Sequence, residues 1–436
     1  MDLPSVSLVV LNYNGKHHLE PCLSSLGALE YPPEQLELVV CDNGSTDGSV
    51  ELVRDRFPSV KVVALESNHG FAAGNNLAVS HCGGTWVGFL NNDMRVSPGW
   101  LREMLRPIQE QPGLSCVTSK ILNWNGSAID YVGAGINFQG FGFQMDYGLK
   151  TSPLDRPRRL MCPCGGAMLI KKSVFEDIGG FDADYFAFYE DTDLGWRLNL
   201  LGHDVWYTPD AVVFHRHHST SNSIRPARLR VLYERNSLFT MYKCLDDDNL
   251  AAALPVALML LNAKALRMAD LDPNRFLLRP AGSAVESYRP ARNQVLHSFD
   301  PGAAPTESLV ARARRVVKTQ GARTAFHKGV RLLRSRTRSR ATRILRQIAN
   351  GGTQLPDEAI ACWVALDDFA RSLDRLQEKR RLIQAQRVRT DEQLFPLFHF
   401  ALEPSYHEEH YVRFHRWICE VTGLDRRFAA GHLHRG

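Results

Sequence analysis

Up to about residue 215 the chain alternates short apolar runs with amphipathic stretches. Residues 6–11, 36–41, 60–65 and 85–90 are short, unalternating runs rich in Val and Leu, as expected of strands covered on both faces. Residues 17–29, 49–57 and 72–81 between them carry helical spacing. Strand–helix–strand repetition predicts an α/β domain on a mostly parallel sheet with helices on both faces. After His215 the texture turns helical, with Leu229, Leu232, Tyr233 and Asn236 in one pattern and an apolar stretch at 250–263. Residues 301–306 read as a linker. A basic helical segment follows, and from 357 onward comes a region that is acidic at first and aromatic later.

Open sheets of this kind bind ligands outside the carboxyl ends of their strands. Three polar stretches fall there: 12–15, 42–47 and 91–93. Each taken alone is an ordinary turn, since Asn, Asp and Gly are turn residues everywhere. Together on the predicted ligand edge they mark a binding crevice.

Composition adds bounds. At 436 residues, 44% hydrophobic and 23% charged, the chain has room for more than one domain and a sizeable core. Nine cysteines without a paired framework point to a reducing compartment and to small core residues such as Cys22, Cys41, Cys82 and Cys116. Cys162 and Cys164 lack the second pair that a zinc site needs. The N-terminus enters a strand without a basic leader, and 250–263 is shorter than the roughly 20 residues that span a bilayer. A cytoplasmic protein is therefore expected, touching the inner face of the cell membrane at most. The net charge of +5 hides thirteen Lys or Arg between 312 and 346 with no acid among them. That segment suits an anionic membrane surface or an acidic glycan; nucleic acid is not expected, because no recognition motif accompanies the charge.

Three constellations carry chemistry. Asp93 closes the turn after the run 85–90, where a carboxylate could ligate a hard cation such as Mg2+ or Mn2+. Glu190, Asp191 and Asp193 crowd the start of a helix running through 201; they suit either the helix N-terminus or a base facing a cleft. Residues 212–214 form a strand run into His215, which could offer imidazole to a metal or lie in an exposed polar loop. Residues 133–148, glycines interleaved with aromatics, read as a flexible lid or a simple β-excursion. His17 and His18 open a helix and are expected to be solvated.

These segments together resemble the family 2 glycosyltransferases of GT-A fold, in particular the bacterial rhamnosyltransferase-like branch. The likeness runs through Val9-Val10-Leu11-Asn12-Tyr13-Asn14-Gly15, Asp42-Asn43-Gly44-Ser45-Thr46-Asp47 and Asn68-His69-Gly70-Phe71-Ala72-Ala73-Gly74-Asn75. It continues through Phe89-Leu90-Asn91-Asn92-Asp93, Gly165-Gly166-Ala167, Gly179-Gly180-Phe181-Asp182 and Glu190-Asp191-Thr192-Asp193-Leu194-Gly195-Trp196-Arg197, and ends near residue 245. It implies a GT-A domain over 1–225; beyond it the pattern reads as a helical extension (226–300), a basic helical segment (301–350) and a C-terminal helical region (351–436).

The resemblance also implies roles. Asn12, Asn14, Asp42, Asn68, Gly70, Asn75, Asn92 and Asp93 would line a nucleotide-sugar donor, a dTDP- or UDP-sugar. Asp93 and His215 would hold a divalent metal (Mg2+ or Mn2+). Asp191 would be the general base with Glu190 beside it, and the acceptor a glycan or lipid-linked hydroxyl. Many relatives carry two or three acids where this chain has Asn91-Asn92-Asp93, which implies a weaker metal site. Two other readings are weighed. A nucleotidyltransferase would open on a Gly-rich basic loop, which residues 12–16 are not; a non-catalytic nucleotide-sugar- or polyanion-binding scaffold would not need Asp93, Asp191 and His215 intact.

Overall fold

The apolar runs form strands because consecutive positions find cover. β1 (Val6–Asn12) is buried from Val6 through Val10 and β4 (Trp86–Asn91) from Trp86 through Leu90. Successive side chains of a strand point to opposite faces, so unbroken burial means both faces are covered. The computed structural model of the chain describes residues 3–216, 225–269 and 355–432. In it β2 (Leu36–Asp42) and β4 flank β1, and β3 (Lys61–Ala64) flanks β2, all parallel. Helices α1 (Lys16–Gly27), α2 (Ser49–Arg56) and α3 (Gly70–Val79) connect them. This half is the predicted doubly wound unit.

Past β4 the sheet becomes mixed. In chain order come β5 (Met94–Val96), α4 (Trp100–Glu110), β6 (Cys116–Asn123), β7 (Ile129–Tyr131) and the hairpin β8 (Ala134–Ile136) and β9 (Gly142–Gln144). Then follow β10 (Arg158–Leu160), β11 (Ala167–Lys171), α5 (Lys172–Asp177), α6 (Glu190–Leu200) and β12 (Val205–His215). β11 lies antiparallel between β4 and β6, and β12 runs parallel to β6. The Gly- and aromatic-rich hairpin is the β-excursion of the two readings. Phe138 and Ile136 are fully buried, and the Asn137 side chain donates to Glu403 O at 2.9 Å, which pins the hairpin to the C-terminal region.

The C-terminal helices are α7 (Pro226–Cys244), α8 (Asp247–Met268), α9 (Asp357–Arg371), α10 (Leu373–Ala385), α11 (Asp391–Leu394), α12 (Glu409–Thr422) and α13 (Leu424–Arg427). They build a second core with side chains from the sheet half, among them Ile136, Phe138, Tyr185 and Trp196. Phe395, Phe398 and Tyr411 are buried there, so the late aromatics are helix core. α8 reaches beyond the apolar stretch read from the sequence: its 22 residues are long and apolar enough to cross a membrane, yet 56% of its most apolar window is buried inside the protein. Lys264 on that helix ends fully buried, 2.8 Å from the Glu234 carboxylate of α7. The basic segment 312–346, and the part of the expected extension beyond 269, lie outside the described residues. Cys22, Cys41, Cys82 and Cys116 are buried, as expected of core thiols, and among the described residues no group of three or more His, Cys, Asp or Glu is placed to hold a metal ion.

Candidate active site

The three polar stretches converge at the carboxyl ends of β1, β2 and β4. Asn12 and Asp42 face each other in register. The Asn12 Nδ2 donates to Asp42 Oδ1 at 3.0 Å and to Ser45 Oγ at 3.2 Å, while its Oδ1 accepts from Asn92 Nδ2 at 2.7 Å. The other Asp42 oxygen accepts the Ser45 N–H at 2.8 Å. Asn14, in the left-handed region at φ 50°, reaches across to accept the Thr46 N–H at 2.8 Å. A buried amide bonded at once to acceptors on β2 and in the loop after it and to a donor in the turn after β4 cannot rotate freely, so this floor is rigid.

Asn68 Oδ1 accepts from the Gly70 N–H at 2.8 Å and from Asn43 Nδ2 at 3.0 Å, forming a side wall. Gly70 has φ +82°, and a Cβ there would fall 2.5 Å from Phe186 O, so only glycine fits. Asn75 is placed differently. It is buried inside α3, and its Nδ2 donates to the Phe71 carbonyl one turn back at 3.0 Å. It shapes the wall from within the helix.

Asp93, in the turn between β4 and β5, meets His215 at the end of β12, with His215 Nε2 3.4 Å from Asp93 Oδ2. The other ring nitrogen donates to Asp130 Oδ2 at 2.5 Å. Asp130 is a site residue that the sequence reading missed; the only signal was an acid between Ile129 and Tyr131 in an apolar strand, 85 positions from its partner. A carboxylate behind a histidine fixes which nitrogen faces forward, the arrangement that supports metal-binding imidazoles. Burial alone would lower the His215 pKa, but the bonds to Asp130 and Asp93 prevail and raise it to about 9. His18 corrects another expectation: it is only 7% exposed, because it shares the inward face of α1 with Leu19 and Cys22. Its Nε2 is buried without a partner among the described residues, and burial lowers its pKa.

The acids before Leu194 separate by environment. Asp193 is fully buried, bonded to Arg197 Nε at 2.8 Å and to Lys243 Nζ at 2.7 Å, and is structural. Asp191 stands in the first turn of α6 and accepts N–H bonds from Gly165 (3.0 Å) and Thr192 (2.7 Å). Gly165 permits this approach, since a Cβ there would lie 3.1 Å from Asp191 Cβ. The next residue, Gly166, accepts the Asn91 N–H at 3.0 Å, so Asp191 shares the edge of β4 with the Asn92–Asp93 turn. Burial pushes the Asp191 carboxyl above its ordinary range against those N–H bonds. Burial and the neighbouring Asp191 push Glu190 further up; one of its oxygens is buried without a hydrogen-bond partner among the described residues.

The segment leading into α6 is strained. Phe186 (φ 63°, ψ −62°) is the centre of a γ-turn closed by the Ala187 N–H to Tyr185 O at 2.7 Å. Phe188 and Tyr189 follow at φ 69° and 64°. Each such residue costs on the order of 1–3 kcal/mol and persists only where the surroundings hold it.

The carboxyl edge of the sheet thus brings together an Asn–Asp floor, an acid–imidazole pair and the first-turn carboxylate of Asp191. Residues 7–179 match the family model for Glycosyl transferase family 2. The chain is 27% identical over 239 residues to an N-acetylglucosaminyl-diphospho-decaprenol L-rhamnosyltransferase of Mycobacterium tuberculosis, covering 49% of this chain and 76% of that protein. It is 29% identical over 229 residues to the O-antigen biosynthesis protein RfbC of Myxococcus xanthus, covering 50% of this chain and 18% of that protein. Among solved structures, the crystal structure of GalNAc-T7 with UDP, GalNAc and Mn2+ overlaps 59% of this chain and 51% of its own at 16% identity and a TM-score of 0.47. That overlap is too slight to carry residues or ligands across.

Proposed function

We propose that the chain is an inverting enzyme that transfers a rhamnosyl or hexosyl group from a dTDP- or UDP-sugar to an acceptor hydroxyl in cell-surface polysaccharide or glycolipid assembly. Its likeness to a rhamnosyltransferase and to an O-antigen biosynthesis protein supports the substrate class. The observation that carries the chemistry is Asp191: a carboxylate anchored by the Gly165 and Thr192 N–H groups at a helix start, on the same edge as Asp42 and Asp93.

In this reading Asn12, Asn14, Asp42, Asn68, Gly70 and Asn92 receive the nucleotide, with Asn75 stiffening the wall behind it. Asp191 takes the proton of the acceptor hydroxyl as that oxygen attacks the anomeric carbon. The bond from that carbon to the nucleoside diphosphate breaks on the opposite face, so the configuration inverts. Glu190, whose burial favours the uncharged form, sits beside the base. Asp93 and His215 fit a single hard cation: one carboxylate oxygen and one oriented imidazole nitrogen 3.4 Å apart, with the diphosphate supplying further oxygens. A bound Mg2+ or Mn2+ would neutralise the departing diphosphate. The catalytic unit is assigned to 1–225, and the cations of 312–346 to an anionic inner membrane surface that presents a lipid-linked acceptor.

The test is titration calorimetry and turnover with a panel of dTDP- and UDP-sugars, with and without Mn2+. Micromolar binding of one donor followed by transfer or hydrolysis supports the enzyme. Tight binding without turnover over long incubation would favour a scaffold instead.

A further inference from the structure

We infer that Asn236, aided by Arg235, is a positioning residue for the base: it holds the 185–189 loop in its left-handed turns, so that Asp191 meets the sheet edge. The inference rests on Asp191 being the base. Asn236 is fully buried on α7. Its Nδ2 lies 3.1, 3.0 and 2.7 Å from the carbonyls of Tyr185, Ala187 and Phe188. These carbonyls belong to the residues around and within the run of positive φ at 186, 188 and 189. One amide therefore gathers the inward carbonyls of the whole strained stretch. Its Oδ1 accepts from Arg235 Nε at 2.9 Å, and Arg235 Nη2 donates to Asp184 O (3.0 Å) and Tyr185 O (3.1 Å). Arg235 Nη1 reaches the Asp368 carboxylate of α9 at 3.0 Å.

The remaining carbonyl of the γ-turn points the other way. Phe186 O accepts the N–H groups of Phe71 (2.6 Å) and Ala72 (3.2 Å) in the first turn of α3, next to the Asn68–Gly70 wall. The loop is thus held between the donor wall and α7, and Asp191 follows two residues after the last left-handed position. Such a loop does not hold itself, because its residues prefer negative φ. The carbonyl ring around Asn236 is what keeps it. With the donor removed, the Ala187 and Phe188 carbonyls lose this partner while Tyr185 O keeps Arg235 Nη2 and the Ala187 N–H, the turns relax and the base moves. A displacement of about 1 Å costs on the order of 10²-fold in rate. The C-terminal helices act through the same device: α10 places Lys379 Nζ 2.7 Å and Arg375 Nε 2.6 Å from Asp184 Oδ2 at the start of the loop.

The test is Asn236→Ala beside Asp191→Asn, using the nucleotide sugar turned over in the panel above, dTDP-rhamnose first. In the folded Asn236→Ala protein, kcat is expected to fall at least about 30-fold while donor Kd stays within about threefold of wild type. Hydrogen exchange is expected to speed up at the amides of Phe71, Ala72 and Ala187, with those of β1 and β4 unchanged. A folded Asn236→Ala protein with near-wild-type kcat, or one whose donor affinity falls as far as its kcat, overturns the inference. If Asn236→Ala does not fold, Asn236→Ser, which keeps a shorter donor, is judged by the same criteria. An inactive Asp191→Asn beside a fully active Asn236 variant overturns the positioning role alone; an active Asp191→Asn overturns both it and the assignment of the base.

Discussion

His215 lies between two carboxylates, and that placement decides how it titrates. Its pKa of about 9 in the metal-free fold exceeds the ordinary value of 6.5. The charged imidazole therefore stabilises the fold fully below pH 6.5, and that contribution is lost as the pH rises through about 9. Thermal melts in EDTA are expected to show the wild-type Tm falling between pH 6.5 and 9.5, and His215→Gln losing most of that dependence. Equal slopes in the two proteins would remove the ion pair from the picture. The neighbouring acids are expected to behave unalike. Burial and the neighbouring Asp191 favour the uncharged form of Glu190, and Glu190→Gln keeps its shape; its kcat is expected to fall by no more than about tenfold, against the roughly 10²–10⁴-fold attached to a base. Steady-state kinetics on both variants decides this, and equal losses would mean that Glu190 works as an anion. At this scale the positions of Asp42, Asp93 and His215 at strand ends and of Asp191 at a helix start were legible in the sequence. Asp130 and Asn236 were not, because each earns its role only through a partner that folding brings from 85 or about 50 positions away.

Among the elements, α6 and α7 are joined by a buried ionic network. Lys243 is 1% exposed and sits 2.5 Å from Asp182 and 2.7 Å from Asp193, and Arg197 completes the charge balance. Burial alone would raise the Asp182 carboxyl, but Lys243 and Lys379 outweigh it and hold it well below the usual range. Removing one partner strands the other charges, so Lys243→Met is expected to cost about 3–5 kcal/mol in urea unfolding. A loss under about 1 kcal/mol would show that the network relaxes without it. The strands and helices of the first half were readable because unalternating Val- and Leu-rich runs and helical spacing each have one cheap solution. The mixed order of the sheet beyond β4 was not, because strand direction depends on where connections return, which periodicity does not encode. The 133–148 hairpin is fixed rather than lid-like for a similar reason: its glycines and aromatics take their meaning from Phe398, Phe400 and Phe428 on the far side of the chain.

For the molecule as a whole, the second core matters most. Side chains from the sheet half and from the C-terminal helices share it, so the helices pack on the sheet half through a common interior while the sheet half keeps a first core of its own. Urea unfolding followed by far-ultraviolet circular dichroism and by tryptophan fluorescence is expected to give coincident transitions; early loss of helical signal alone would mean that the C-terminal helices unfold independently. That union also links the chemistry to the far end of the chain, through Asp184, Arg235 and Asn236. The measurement that bears most directly on the proposed chemistry is made on one residue of this assembly. In Asp191→Asn, calorimetric donor binding is expected to stay within a few-fold of wild type, while single-turnover transfer falls by at least about 10²-fold. Wild-type turnover in that variant would contradict the assignment of the base and the inverting mechanism built on it.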